Sequence, residues 1–294
     1  MSWSCFRVRF RLRSDMHCGS LVLGFVARAF PFVPQHLPLY ALVPAAVAAL
    51  GLPDRRDSYK KVEKLVLSAV RFTPFFVLYG DRGGERPLFP WVEDDRALLE
   101  ADFMGSRYGV GLDDATRSAE EGRLFETEVL LAHARGSMAS TRMEGYVWLR
   151  PAEEEGVFLN AAGMACGDRR VSWPELFASL SLGGDRTRSL GRLWPDVEME
   201  EAATLWGGMT MQPDGPWPRL LVKGGESCPV ALEAVNLEGS GSPYTVLTGR
   251  RIGENGGYGM DRGTVARDMG WAPREDMLVE LCAERFARRC GNEA

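Results

Sequence analysis

The sequence predicts an α+β protein with antiparallel sheets, arranged as two related α+β units. Three observations lead there. Phe6 to Arg13 alternate strictly between apolar side chains and arginine, the period of a half-buried strand. Two apolar stretches with helical spacing follow, and strand-like runs then recur between turn residues. Strand–helix–strand material appears once in each half, without an exact repeat. A chain of 294 residues has room for two packed units. The expected division is residues 1–193, with an insertion near 80–105, and residues 194–294, a degenerate second unit closed by a C-terminal helix.

The first strand places Phe6, Val8, Phe10 and Leu12 on one face and Arg7, Arg9, Arg11 and Arg13 on the other. That basic face has two readings, contact with RNA or pairing with acidic side chains of a neighbouring strand. Turn residues from Ser14 to Ser20 end the strand. Leu39 to Gly51 reads as a buried helix, with Pro38 near its first turn, Pro44 as a kink and Gly51 as its stop. Tyr59 to Ala69 reads as a second helix with Val62, Leu65, Val66 and Ala69 at helical spacing, and Val70 to Tyr79 as a strand. Gly80 to Arg96, rich in glycine, proline and charge, is expected to be a loop or insertion and is the candidate surface for a protein partner.

Ser106 to Leu130 has the pattern of a long β-hairpin, and Arg142 to Pro151 that of a further strand. Trp173 to Leu180 reads as a short helix with Ser172 as N-cap and Pro174 in its first turn. Beyond Arg192, strands are expected at Arg219 to Lys223, Val230 to Val235 and Tyr244 to Leu247. A second glycine-rich stretch spans Thr248 to Gly263, and Arg274 to Arg289 is expected to form a terminal helix.

Apolar residues at 45% and charged residues at 26% describe a soluble globular chain rather than a disordered one. The net charge of −5 excludes a generally basic nucleic-acid binder, so an anion site has to come from local arginine clusters. Lys60, Lys61, Lys64 and Lys223 are the only lysines, and arginine is the better residue for phosphate and base stacking. Six cysteines without a CxxC pair and three histidines yield no zinc-finger spacing. The expectation is therefore no metal and no cofactor, with free thiols in a reducing cytoplasm. No apolar stretch is long enough to span a bilayer, and no signal-peptide core is seen.

The densest anion-binding pattern lies at Ser181 to Leu193, where Gly183, Gly184 and Gly191 alternate with Arg186, Arg188 and Arg192. Glycine permits positive φ and close approach of the backbone, and guanidinium forks bind two phosphate oxygens together. The stretch lacks the lysine-hydroxyl ending of a P-loop and is not a GxGxxG fingerprint, so a polyanion backbone fits it better than a nucleotide cofactor. A solvated basic hairpin is the plain alternative. Tyr108, Tyr146, Trp148 and Tyr258 sit beside arginine- or glycine-rich segments and are candidate platforms for unpaired bases.

Taken together, four stretches resemble the RAMP superfamily of CRISPR-associated proteins. Ser14-Asp15-Met16-His17-Cys18-Gly19-Ser20 is similar to the family's exit from its first strand, and Phe32-Val33-Pro34 to the entry of its first helix. Asp113 to Glu128 is similar to the hairpin of effector subunits, and Leu182 to Arg192 to the family's glycine-rich loop. The resemblance implies an RRM-like (ferredoxin-like) fold and a place in an effector ribonucleoprotein of type III, with guide RNA and other effector subunits as partners. RNA would be held by Arg186, Arg188 and Arg192, by Gly183, Gly184 and Gly191, by the strand-one arginines, and by His17, Gly19 and Ser20.

The chain departs from the family pattern at Gln35 and His36, where glycine and serine are usual, and at Leu190. Target-cleaving relatives use an aspartate soon after the first strand, yet no acidic residue stands between Gly19 and Pro34, which implies a subunit without cleavage chemistry. Two alternatives accompany this reading. One is a repeat-RNA processing endoribonuclease with His36 as general acid/base. The other is an assembly protein with no direct RNA contact.

Overall fold

The structure is a computed structural model that describes residues 2–80, 84–113, 115–230 and 272–281, together with short strand segments between 232 and 289. It divides into a unit of Ser4–Ala202 and a unit of Met1–Trp3 with Ala203–Ala294.

In the first unit the chain runs from β1 (Ser4–Arg11) through β2 (Gly19–Leu23) and β3 (Val26–Ala29) into α1 (His36–Ala49) and α2 (Arg56–Ala69). It continues through β4 (Val70–Phe72), β5 (Phe76–Tyr79), β6 (Arg86–Pro87) and α3 (Glu93–Leu98) to the hairpin β7 (Met104–Leu112) and β8 (Ala119–Leu130). Next come β9 (Arg142–Leu149), the meander β10 (Ala152–Glu154), β11 (Val157–Asn160), β12 (Gly163–Cys166) and β13 (Arg169–Ser172), then α4 (Trp173–Ala178) and β14 (Glu198–Glu201).

The main sheet has the order β14-β1-β9-β5-β6, with β4 also on β9 and neighbouring strands antiparallel. Reduced to its core, this is strand–helix–strand–strand–helix–strand with the spatial order fourth, first, third, second. That is the ferredoxin-like arrangement. The alternation of β1 positions it: Val8, Phe10 and Leu12 are buried, and the Phe10 and Phe75 rings lie 5.1 Å apart. Leu39, Leu42, Ala46 and Val47 of α1 and Val62, Leu65, Val66 and Ala69 of α2 are buried. Pro44 lies within α1, which runs on to Ala49, and Gly51 follows with φ +59°. A capping box between Ser172 and Glu175, with Pro174 in the first turn, starts α4. A second sheet, β2-β3-β8-β7, carries the long hairpin, with β3 and β8 parallel.

Several expectations need correction. The strand from Val70 to Tyr79 is two strands, because Pro74 offers no N–H to the ladder. Gly80 to Arg96 is not an open insertion: β6 pairs with β5, Leu88 is fully buried, and the stacked Phe89 and Trp91 rings lie 5.1 and 5.6 Å from Phe76. Leu88, Phe89 and Trp91 of the stretch named for its glycine, proline and charge as a candidate partner surface thus pack on the core. Tyr146 and Trp148 are buried on β9, out of reach of any base.

In the second unit β15 (Thr210–Gln212) pairs with β16 (Arg219–Val222), which pairs with a strand at Met277–Leu281. The expected terminal helix from Arg274 to Arg289 is thereby replaced by strands at Met277–Leu281 and Ala287–Arg289, with 282–286 outside the described residues. Met277, Val279 and Leu281 are buried while Leu278 and Glu280 are half-exposed. Period two thus prevails over the helical spacing, and Glu280 pairs with Arg219 across the ladder. Leu232–Glu233 and Tyr244–Leu247 are strands. Much of the stretch from Thr248 to Gly263 lies outside the described residues.

Candidate nucleic-acid interface

The glycine-rich loop is fastened to the exit of β1. Gly184 N–H donates to the His17 carbonyl at 2.8 Å, Gly191 N–H to the Asp15 carbonyl at 2.8 Å, and Arg192 N–H to Ser14 Oγ at 3.0 Å. Two of the glycines are dictated by geometry. Gly183 has φ +85°, and a Cβ there would lie 2.4 Å from the His17 carbonyl oxygen. Gly191 has φ +73°, and its Cβ would lie 1.8 Å from the Leu182 oxygen. The Gly184 and Gly191 amides are already bonded within the protein, so these glycines shape the loop and neither N–H is left over for a ligand.

Between them, Arg186–Arg188 form a 3-10 turn flanked by Asp185 (φ 51°) and Ser189 (φ 65°), both in the left-handed region. Such residues each cost about 1–3 kcal/mol and tend to gather at functional sites. Arg186 and Arg192 are exposed and have no acidic partner among the described residues. Arg188 lies 3.5 Å from Asp185 and sits over the Phe125 ring, 5.0 Å from its centroid.

The hairpin forms the facing wall. Gly109 opposes Phe125 across β7 and β8, and a Cβ at Gly109 would lie 2.2 Å from that ring. Arg107 donates through Nε and Nη2 to Asp15 Oδ2 at 3.0 and 2.7 Å, and Asp15 Oδ1 accepts from Ala132 N–H at 2.8 Å. Asp15 is therefore a strut between the β1 exit and the hairpin, more than the turn former its position suggests. Hairpin and loop together enclose a pocket of about 350 Å³, lined by Arg107, Tyr108, Phe125, Thr127, Asp185 and Arg188 among others. Tyr108 is 72% exposed. His17 Nδ1 lies 2.7 Å from the Glu128 carbonyl, which ties this side chain to β8, while Gly19 and Ser20 are exposed at the start of β2.

The strand-one arginines stand elsewhere, on the sheet face opposite Val8 and Phe10. Arg7 pairs with Glu200, Arg9 with Glu144 at 2.7 Å and Arg11 with Asp196 at 2.5 Å. Glu144 is buried, and the Arg7 hydrogen bond holds the Glu200 carboxyl below its ordinary range. Arg11 and Arg13 also flank the Trp194 ring at 5.6 and 5.4 Å. His36 opens α1, half-buried, and does not line the pocket. Burial pushes the Cys5 and Cys18 thiols up to about 12, leaving them protonated and unreactive. No group among the described residues is arranged to hold a metal ion, and no described helix is long and apolar enough to cross a membrane.

Sequence reasoning did not assign Arg107, Phe125 or Asp15 to this site. The available signal was Gly109 inside a strand, a mark of close approach by another group.

No family model matches the chain, and no curated protein matches it. Among structures solved by cryo-electron microscopy, it is similar to a chain of the type III-B Cmr-beta complex bound to cognate target RNA and AMPPnP. That similarity has 11% identity and a TM-score of 0.45 and covers 96% of this chain and 99% of that one. It is also similar to a chain of type III-B Cmr-beta bound to cognate target RNA, with 12% identity and a TM-score of 0.44, over 91% of this chain and 86% of that one.

Proposed function

We propose that this chain is a non-cleaving subunit of a type III CRISPR effector ribonucleoprotein in antiviral defence, holding the guide-RNA backbone at its glycine-arginine loop. The observation that carries the reading is the isolation of Arg186 and Arg192. They are exposed on a loop locked by Gly183 and Gly191, with no carboxylate partner among the described residues, in a chain of net charge −5. Two guanidiniums without carboxylate partners, held beside Arg188 on one fixed loop of an acidic protein, suit a polyanion. Arg188 adds a planar cation on an aromatic ring beside them, and His17, Gly19 and Ser20 lie at the same end of β1. Arg7, Arg9 and Arg11 are assigned a structural role instead, since each already has an acid beside it.

The test is to co-express the chain with its genomic neighbours, purify the assembly and quantify small RNA per particle. The reading expects bound small RNA, lost on charge reversal of Arg186 and Arg192 while the subunits still co-purify. An assembly free of RNA contradicts it.

A further inference from the structure

We propose that the pocket between hairpin and loop takes one unpaired guanine base. The inference rests on the RNA-holding role proposed above and adds a base preference to it. At about 350 Å³ the pocket is at the small end of ligand sites, suited to a single nucleotide rather than a duplex. Its charges come in matched pairs: Asp15 neutralises Arg107 from behind, and Asp185 stands beside Arg188. A bare phosphate would meet the Asp185 carboxylate in a nearly neutral cavity. A neutral, polar, flat ligand meets no such repulsion.

The donors and acceptors then select among bases. Arg107, which lines the pocket, uses Nε and Nη2 on Asp15, and its Nη1 is not engaged there. Asp185 presents an acceptor-only carboxylate from the loop side of the same cavity. Guanine offers O6 and N7 acceptors on one edge and the N1–H and N2 amino donors on another, which matches a guanidinium and a carboxylate. Adenine keeps N7 but offers an amino donor where guanine has O6 and an unprotonated N1 where guanine has N1–H, so the guanidinium contact is reduced to N7 and the carboxylate contact fails. The Arg188 guanidinium, itself seated over the Phe125 ring, supplies a planar stacking surface, as single-stranded RNA sites commonly do.

The experiment uses the full chain and fluorescent uridine oligonucleotides carrying one central guanosine, adenosine or inosine, at fixed salt. Inosine keeps O6 and N7 and lacks only the 2-amino donor. Guanosine is expected to bind about tenfold more tightly than adenosine or inosine, within the reach of one bidentate contact. Asp185→Asn, whose side chain also tolerates the left-handed backbone, is expected to abolish that preference while oligonucleotide binding persists. Equal affinity for guanosine and adenosine, with binding still dependent on Arg186 and Arg192, overturns the pocket assignment and leaves RNA holding intact. A guanosine preference that survives Asp185→Asn also overturns it. Failure to bind any of the oligonucleotides defeats the RNA-holding role itself.

Discussion

The arginines of β1 and those of the glycine-rich loop are the same residue type at similar density, yet their surroundings differ in kind. On β1 the ladder register brings Glu200 and Glu144 opposite Arg7 and Arg9, and Asp196 reaches Arg11. On the loop, left-handed residues and two obligatory glycines hold Arg186 and Arg192 exposed, with no ion pair to either among the described residues. An arginine count thus says little about anion binding. What decides is whether the neighbouring strand supplies the countercharge, and only the pairing register reveals that.

The largest expected effect lies on the paired side. Arg9→Ala removes the guanidinium 2.7 Å from the buried Glu144 carboxylate and should cost about 3 kcal/mol in urea unfolding, with little change in RNA affinity. On the loop side, Arg186→Ala with Arg192→Ala should leave stability within about 0.5 kcal/mol, as for ordinary surface changes. The same pair should lower the salt dependence of single-strand binding by a log–log slope of about 1.4, or about 0.7 per phosphate contact. A large stability loss here, or a large RNA loss at Arg9, would break the contrast.

Gly191→Ala separates the loop's shape from its charge. With φ +73° and the Leu182 oxygen in the way, it should cost about 2 kcal/mol and weaken RNA binding although every arginine remains. The smallest effect belongs to Arg7→Ala, whose partner Glu200 is exposed. Because Arg7 depresses the Glu200 pKa, this pair adds stability above the ordinary carboxylate range, and that stability fades as pH falls through the lowered value. Removing Arg7 should therefore lower stability slightly at neutral pH, leave it unchanged below the lowered carboxylate value, and so flatten the acid limb of the profile, as read by thermal melts.

Much of the frame was readable from local pattern. The period-two run of β1, the helical spacing of α1 and α2, the hairpin β7–β8 and the cap of α4 all depend on near neighbours in sequence. Features set by distant partners were not. Glu144 and Glu200 lie far along the chain from the arginines they pair with, and Arg107 meets Asp15 only once the hairpin folds back on the β1 exit. Met277 to Leu281 satisfies helical and strand spacing alike, and pairing with β16 settles it as a strand. The loop itself was visible as glycine and arginine in alternation. Its attachment to Asp15 and His17, which fixes where those arginines stand, was not.

The most direct test compares small-RNA content per particle in co-purified complexes of the wild type and of Arg186→Glu with Arg192→Glu. The account predicts complexes of unchanged subunit composition that have lost most of their RNA. Complexes that fall apart while the remaining particles keep their full RNA content would contradict it and assign those arginines to a protein neighbour instead.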